Sequence, residues 1–422
     1  MNVLAGAIVL VGFVIATWLV LPTARRTGLG VWHPAVAWLA LEALFFGVGS
    51  AALAIREGRI GAALYIGAAA AVFGLAVAAG DRLARRRVPA APMPASLGPV
   101  AVGKPDRIRP GAVIGLAILG IVALVPTLLA VGIPFLAGDI TGARSEVGGL
   151  DLQILRVALP AGVLVAVLVA ARSGDRRARL ISIVAVIAGV VAELALASRY
   201  LSAELVAAIV LGLGIARRPI RFRTLALVGA VAAILFVAVG VLRAYDQAAG
   251  REVGFAAERT INRVLLIEPR TLDALQATIP AEQPFFGGLT WLRRLAPWFG
   301  RDDVPNLGYW IYPRLFPDQA TPGYAAPGLI GEAWANFGWA GLAIFAALGL
   351  VVERLGALIA VRRRAVADVT AGALLILFVA RTHAIGLNGL LVLIVLIGGW
   401  RALAAPLEGL SGDLRRTLAW RT

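Results

Sequence analysis

Long blocks of apolar residues alternate with short basic connections along this chain, and that alternation predicts its elements. Residues 1–24, 60–80, 110–138 and 224–242 carry no charged side chain. Crossing a hydrocarbon core takes roughly 20 residues of helix, so each block is long enough. Apolar segments bounded by charges predict eleven helices, near 3–22, 34–54, 60–80, 111–136, 152–171, 180–197, 201–216, 224–242, 328–351, 366–380 and 384–400. No positively charged stretch precedes the first, which argues for a span rather than a signal peptide. The expectation is an all-α, polytopic integral membrane protein forming a single membrane domain over 1–422.

Orientation follows from Lys and Arg in the short connections. The segments 23–33, 81–110, 172–179, 217–223, 352–365 and 401–422 hold 2, 7, 4, 4, 4 and 4 of them. These fall on alternate connections, which places them all in the cytoplasm, with the N-terminus outside and the C-terminus inside. The same parity puts 243–327 outside. A connection of this length is far longer than usual between helices, and such loops are commonly functional. Its nine Arg balance nine Asp and Glu. With Trp291, Trp298, Trp310, Tyr309, Tyr312, Tyr324 and many prolines, it reads as short amphipathic helices and turns on the membrane surface.

Composition sharpens this picture. The chain is 60% hydrophobic and 15% charged, against about 45–50% apolar for soluble domains. A soluble enzyme, a secreted disulfide scaffold and a disordered protein are excluded. The chain contains no cysteine, which removes disulfides, thiolate metal sites and thiol nucleophiles. A net charge of +16 would suggest nucleic acid in a soluble protein; here most of it lies in the cytoplasmic connections, and no nucleic-acid partner is expected.

Charges placed where they are costly are candidates for chemistry. The hairpin between the sixth and seventh spans carries Arg199 at its tip, flanked by Glu193 and Glu204. The outer loop 137–151 contains Asp139, Arg144, Glu146 and Asp151, and Arg156 follows just inside the next span. Arg381 and His383 stand together at the outer junction of the last two helices. Arg144, Arg199, Arg381 and the loop arginines, Arg259, Arg263 and Arg314 among them, are placed to converge on an outer-leaflet cavity. A planar guanidinium gives bidentate, permanently charged contacts to a pyrophosphate. Snorkelling to lipid headgroups and a solvated surface are the plainer alternatives for each.

The most informative stretch, 309–341, reads YWIYPRLFPDQATPGYAAPGLIGEAWANFGWAG. Pro313-Arg314 and Phe316-Pro317-Asp318 predict a constrained turn, and Pro327-Gly328 leads into a helix. Glu332 falls in that helix's first two turns, where a carboxylate also complements the helix dipole. Asn336, Gly338 and Gly341 are spaced for close helix contact.

The Pro-Arg-x-x-x-Pro-Asp run, followed by Gly-Glu-Ala-Trp-Ala-Asn-Phe-Gly-Trp-Ala-Gly, resembles the Wzy-type O-antigen polymerases, which join oligosaccharide repeat units. The Ser198-Arg199 hairpin and the long late external loop are similar to that family's layout. At residue level the resemblance covers about 45 positions, and Gln319 departs from the lysine expected after the Pro-Asp turn. It implies glycosyl transfer in the bacterial cytoplasmic membrane on undecaprenyl-diphosphate-linked oligosaccharides at the outer leaflet. It further implies a chain-length regulator and a flippase as partners. An acceptor hydroxyl would attack the anomeric carbon as the lipid pyrophosphate leaves. Glu332, His383 and Asp139 are then candidates for the base. Arg144, Arg199, Arg259, Arg263, Arg314 and Arg381, with Tyr324, are candidates for holding pyrophosphate and sugar. The outer side offers no metal-ligand cluster, and no cofactor is expected.

Three other readings compete. An O-antigen ligase would share fold and donor, but pairs an arginine with a histidine in the large loop, and 243–327 has no histidine. A metal-dependent glycosyltransferase needs acidic residues in an early external loop, where only Glu57 stands. A lipid-linked glycan transporter should carry charged or broken helices at the midplane, for which Glu42 is the clear candidate. The orientation is directly testable in this cysteine-free chain: a thiol introduced by Arg301→Cys should label from outside intact cells. Labelling only from the cytoplasmic face would reverse the assignment.

Overall fold

The computed structural model describes residues 2–87, 125–136, 149–196, 199–216, 265–293, 303–317, 323–363 and 365–402, with a few isolated positions between them. All regular structure among the described residues is helical. Among the described residues, six helical stretches are long and apolar enough to cross a membrane: Val3–Arg26, Pro34–Glu57, Ile60–Arg85, Leu152–Ser173, Arg176–Ala195 and Gly328–Arg362. Ala203–Ile215, Val366–Ala380 and Leu387–Ala402 are shorter apolar helices. This is a membrane-embedded architecture. The expected span at 224–242 and most of that at 111–136 lie outside the described residues.

The chain forms two compact units. The first comprises Met1–Met93, Ile261–Leu358 and Phe378–Leu391. It opens with α1 (Asn2–Arg26), α2 (Pro34–Glu42), a π-helical segment (Ala43–Val48), α3 (Gly49–Glu57) and α4 (Ile60–Arg87). His33 caps α2 by accepting a hydrogen bond from the Ala35 amide at 3.2 Å, and Pro34 occupies the first turn, where its missing N–H costs nothing.

α1 packs along α4 over most of its length. Lipid offers apolar helices no hydrophobic reason to associate, so contact depends on small residues that let backbones approach. Gly12 faces the Gly67 backbone, and Gly74 faces Ala16. Charges mark both ends of this pair. Arg26 and Arg85 pair with Asp81 at one end. At the other, Arg59 and Arg270 pair with Glu57, and Arg59 also with Asp273. The 22 residues from Ile60 to Asp81 span about 32 Å of helix, the thickness of a hydrocarbon core.

Part of the long loop belongs to this unit. Its helix α9 (Ile267–Thr278) packs against α3, α4 and α11. Leu265 and Pro269 press on Gly49, two turns inside α3 from Glu57, while Gln276 faces Gly61. The reason is its apolar face: Leu272 and Leu275 are fully buried. The segment sits at the Glu57 end, opposite the basic ends of α1 and α4. Next in the chain come α10 (Leu307–Leu315) and α11 (Gly328–Phe337).

The single helix expected over 328–351 is broken. α11 ends at Gly338, whose positive φ of 56° stops it, and a 3₁₀ turn over Gly338–Gly341 leads into α12 (Leu342–Arg362). Gly341 is pressed against the Ala333 carbonyl and the Tyr65 hydroxyl, so the small residue serves this bend.

The second unit comprises Pro94–Thr260, Ile359–Leu377 and Val392–Thr422. It contains α5 (Val125–Val131), α6 (Gly149–Ser173), α7 (Arg176–Ala195) and α8 (Arg199–Ile215). The last three meet around Leu155, Leu159, Val163, Leu196, Leu201 and Leu205. α13 (Val366–Ala380) begins in this unit and ends in the first. Asp368 near its start accepts from Arg401 at 2.6 Å, near the end of α14 (Leu387–Ala402).

The close α1–α4 crossing gives a stability prediction. Gly12→Leu should cost about 1–3 kcal/mol by forcing the backbones apart, read as a lower thermal midpoint in detergent. Val11→Leu, on the exposed neighbouring face, should leave the midpoint unchanged.

Candidate functional site

Glu332 and Tyr324 come together in the first unit around α11, and the backbone of the turn carrying Arg381 and His383 meets the beginning of that helix. Gly328 has φ +57° and lies against the Thr382 and His383 carbonyls, where a Cβ would collide. The Leu329 amide donates to the Thr382 carbonyl at 2.6 Å. This contact fixes the start of α11 on the turn that joins α13 to α14. The turn lies deep. The His383 imidazole stacks on Phe45, ring centroids 3.8 Å apart and planes 7° from parallel. Phe45 precedes Glu57 by twelve residues, or about 18 Å of helix.

Glu332 occupies the second turn of α11. Its Oε2 accepts hydrogen bonds from the Trp291 indole N–H and the Leu387 amide, both at 2.9 Å. Leu387 begins α14, so the carboxylate complements the N-terminus of that helix rather than of its own. A Cβ at Gly386 would collide with the Glu332 carboxyl, which explains the glycine. One turn on, Asn336 accepts from the Gly288 amide at 2.8 Å and donates to the Thr290 hydroxyl at 2.6 Å. The Phe286 and Gly287 amides donate to the Ala335 and Asn336 carbonyls. The loop segment 285–291 is thereby fastened to α11, with Trp291 over Glu332.

Tyr324 caps this arrangement. Its ring lies on Gly308 and meets Tyr309 edge-to-face at 5.2 Å, while the Ala325 amide donates to the Gly308 carbonyl. Glu332 and Arg293 both lie within electrostatic reach of its hydroxyl. Arg381 and His383 are buried. Arg381 lies within electrostatic reach of the His383 imidazole.

The other candidates divide. Arg314 does not join this group: it is exposed, its guanidinium lies 4.3 Å above the Trp310 ring, and Glu282 accepts from it at 3.3 Å. Arg199 begins α8 in the second unit, and its side chain lies outside the described residues. Asp139, Arg144, Arg259 and Arg263 also lie outside them. In the second unit Arg156 stands 4.0 Å from Glu204 and within electrostatic reach of Glu193, giving those buried carboxylates a cation from α6.

Sequence reading missed Trp291 as the partner of Glu332, and Thr290 as the partner of Asn336. Only the richness of the loop in tryptophan hinted at the first. It also missed Arg293 beside Tyr324.

The Trp291–Glu332 bond is measurable by a double-mutant cycle in detergent. Trp291→Phe and Glu332→Gln should couple by about 0.5–1.5 kcal/mol in unfolding free energy. Additive effects would mean that the two side chains do not interact. Compared with known protein families, with characterised proteins and with solved structures, the chain shows no match.

Proposed function

We propose that this protein is a membrane glycosyltransferase of the Wzy type, joining undecaprenyl-diphosphate-linked repeat units at the outer leaflet of the bacterial cytoplasmic membrane. The proposal includes eleven spans, an outer N-terminus and an external 243–327 loop. One observation carries it: Glu332 and Tyr324 meet beside the loop segment that holds Trp291, while the Arg381–His383 turn is bonded through the Thr382 carbonyl to the start of α11. They come from the loop, the helix after it and the last helix pair. The helix α9 of the same loop lies at the Glu57 end, opposite the basic connections at Arg26 and Arg85.

The chemistry follows from these groups. The acceptor hydroxyl oxygen bonds to the anomeric carbon, its proton passes to a base, and the bond to the lipid pyrophosphate breaks. Glu332, oriented by two donors, takes the proton or holds the hydroxyl; His383 is the second candidate base, and Asp139 the third. Arg381 supplies fixed positive charge for the departing pyrophosphate, where a planar fork acts bidentately. Arg144, Arg199, Arg259 and Arg263 are the further cations of this reading, and Tyr324 offers a ring and hydroxyl to a sugar.

A second reading, a lipid-linked glycan transporter, is favoured by the broken helix at Gly338–Gly341 and the deep turn at Arg381–His383. Cells lacking the protein separate the readings. A polymerase leaves single repeat units on the lipid at the outer face, a ligase leaves full-length polymer on the lipid, and a transporter leaves its cargo on the cytoplasmic face. Within the polymerase reading, general-base catalysis is worth about 10²–10⁴-fold in rate. Glu332→Gln should insert normally yet accumulate single repeat units; near-normal polymer at matched expression would remove Glu332 from the mechanism.

A further inference from the structure

Glu42 is a fully buried carboxylate in the middle of the second span, at the point where α2 gives way to the π-helical segment. Single-turn π segments inside α-helices occur frequently at functional sites. The carboxylate meets a residue 340 positions away: the Thr382 hydroxyl donates to Glu42 Oε1 at 2.8 Å. The same hydroxyl accepts from the Trp38 indole N–H at 2.7 Å. Trp38 is itself fixed, stacked on Phe73 with ring centroids 4.0 Å apart. The Thr382 hydroxyl thus uses its donor and an acceptor position on two groups of one helix. On its other side, the Thr382 carbonyl accepts from Leu329 at the start of α11. Residue 382 is gripped through its side chain by the second span and through its backbone by α11. Its neighbours in the chain are Arg381 and His383, and His383 stacks on Phe45, three residues after Glu42.

We propose that Glu42 is a positioning residue: acting through Thr382, it holds the Arg381–His383 turn in the geometry that the transfer site requires. The proposal rests on the reading of that turn as part of the site. It assigns Glu42 a fixed hydrogen-bond acceptor role, and this differs in kind from a carboxylate that carries a proton or ion across the membrane. An acceptor role survives replacement by an amide; a carrier role does not. An acceptor role also requires that Glu42 and Thr382 act as one unit.

The test compares Glu42→Gln, Glu42→Leu, Thr382→Ser, Thr382→Val and the Leu/Val double variant at equal membrane-inserted amounts. Two readouts are taken: polymer length on the lipid, and amide hydrogen exchange over 378–391 in the purified full chain. Glu42→Leu and Thr382→Val should each cut polymer formation by about tenfold or more, because small misplacements of site groups cost on that scale. Each should also speed exchange at the turn. The double variant should be no worse than the more damaging single one, and Glu42→Gln and Thr382→Ser should restore most of both readouts. A Glu42→Gln variant as inactive as Glu42→Leu, with turn exchange unchanged, would overturn the proposal in favour of a titrating carboxylate. So would normal polymer from Glu42→Leu, or additive losses in the double variant. If removing the whole protein leaves glycan unaltered, the glycosyltransferase reading fails; unchanged exchange in Glu42→Leu and Thr382→Val would then separately refute the grip on the turn.

Discussion

A chain that reverses direction inside an apolar helical body must find partners there for its backbone polar groups, since lipid supplies none. The turn between α13 and α14 is the place where this constraint governs the first unit. Its Thr382 carbonyl is taken by Leu329, its Thr382 hydroxyl by Trp38 and Glu42, and the Leu387 amide that follows by Glu332. The partners come from two other stretches of chain, the second span and α11. Satisfying one buried turn therefore brings the second span, the helix after the long loop and the final hairpin to the same point.

The same bonds explain why the surroundings take the form they do. Gly328 and Gly386 leave room for backbone and carboxyl to approach, where a Cβ would collide. Asn336 and the 285–291 backbone secure the loop to α11, which places Trp291 over Glu332. α9 sinks its apolar face beside α3 and α11, so the loop is anchored within the helical body at one end. Glu332 secures the N-terminus of α14 through its Oε2 and lies within electrostatic reach of Tyr324. A group oriented by its supporting bonds is also a group whose proton acceptance is directed.

Ion pairs in this protein are arranged by depth. Those at Arg26–Asp81–Arg85 and at Glu57–Arg59–Arg270 are partly exposed and sit about one membrane thickness apart. They mark the ends of the helices rather than holding them together, since exposed pairs contribute little. The association of α1 and α4 comes from close backbone contact at Gly12, Ala16, Gly67 and Gly74. Within the helical body, the Trp38–Thr382–Glu42 and Trp291–Glu332 bonds fix particular registers between distant segments.

The sequence by itself determined the helical class, the membrane environment and most helix positions, because these depend on local apolar content and length. Charge-free blocks of about 20 residues admit few other solutions in lipid. It also singled out Glu332, Arg381, His383 and Glu42, because a polar group in an apolar stretch stands out without any knowledge of its neighbours. What it did not determine was who meets whom. Thr382 looks unremarkable in the sequence, yet it links Trp38 and Glu42 to the final hairpin across more than three hundred residues. Arg314, conspicuous within its proline turn, proved to be a surface residue occupied by Trp310 and Glu282. The break at Gly338 was read as continuous helix, because a glycine serves equally as a packing notch and as a positive-φ stop, and only its surroundings choose between them. Pairings of this kind arise from packing between segments far apart in the chain, and local pattern carries no record of them.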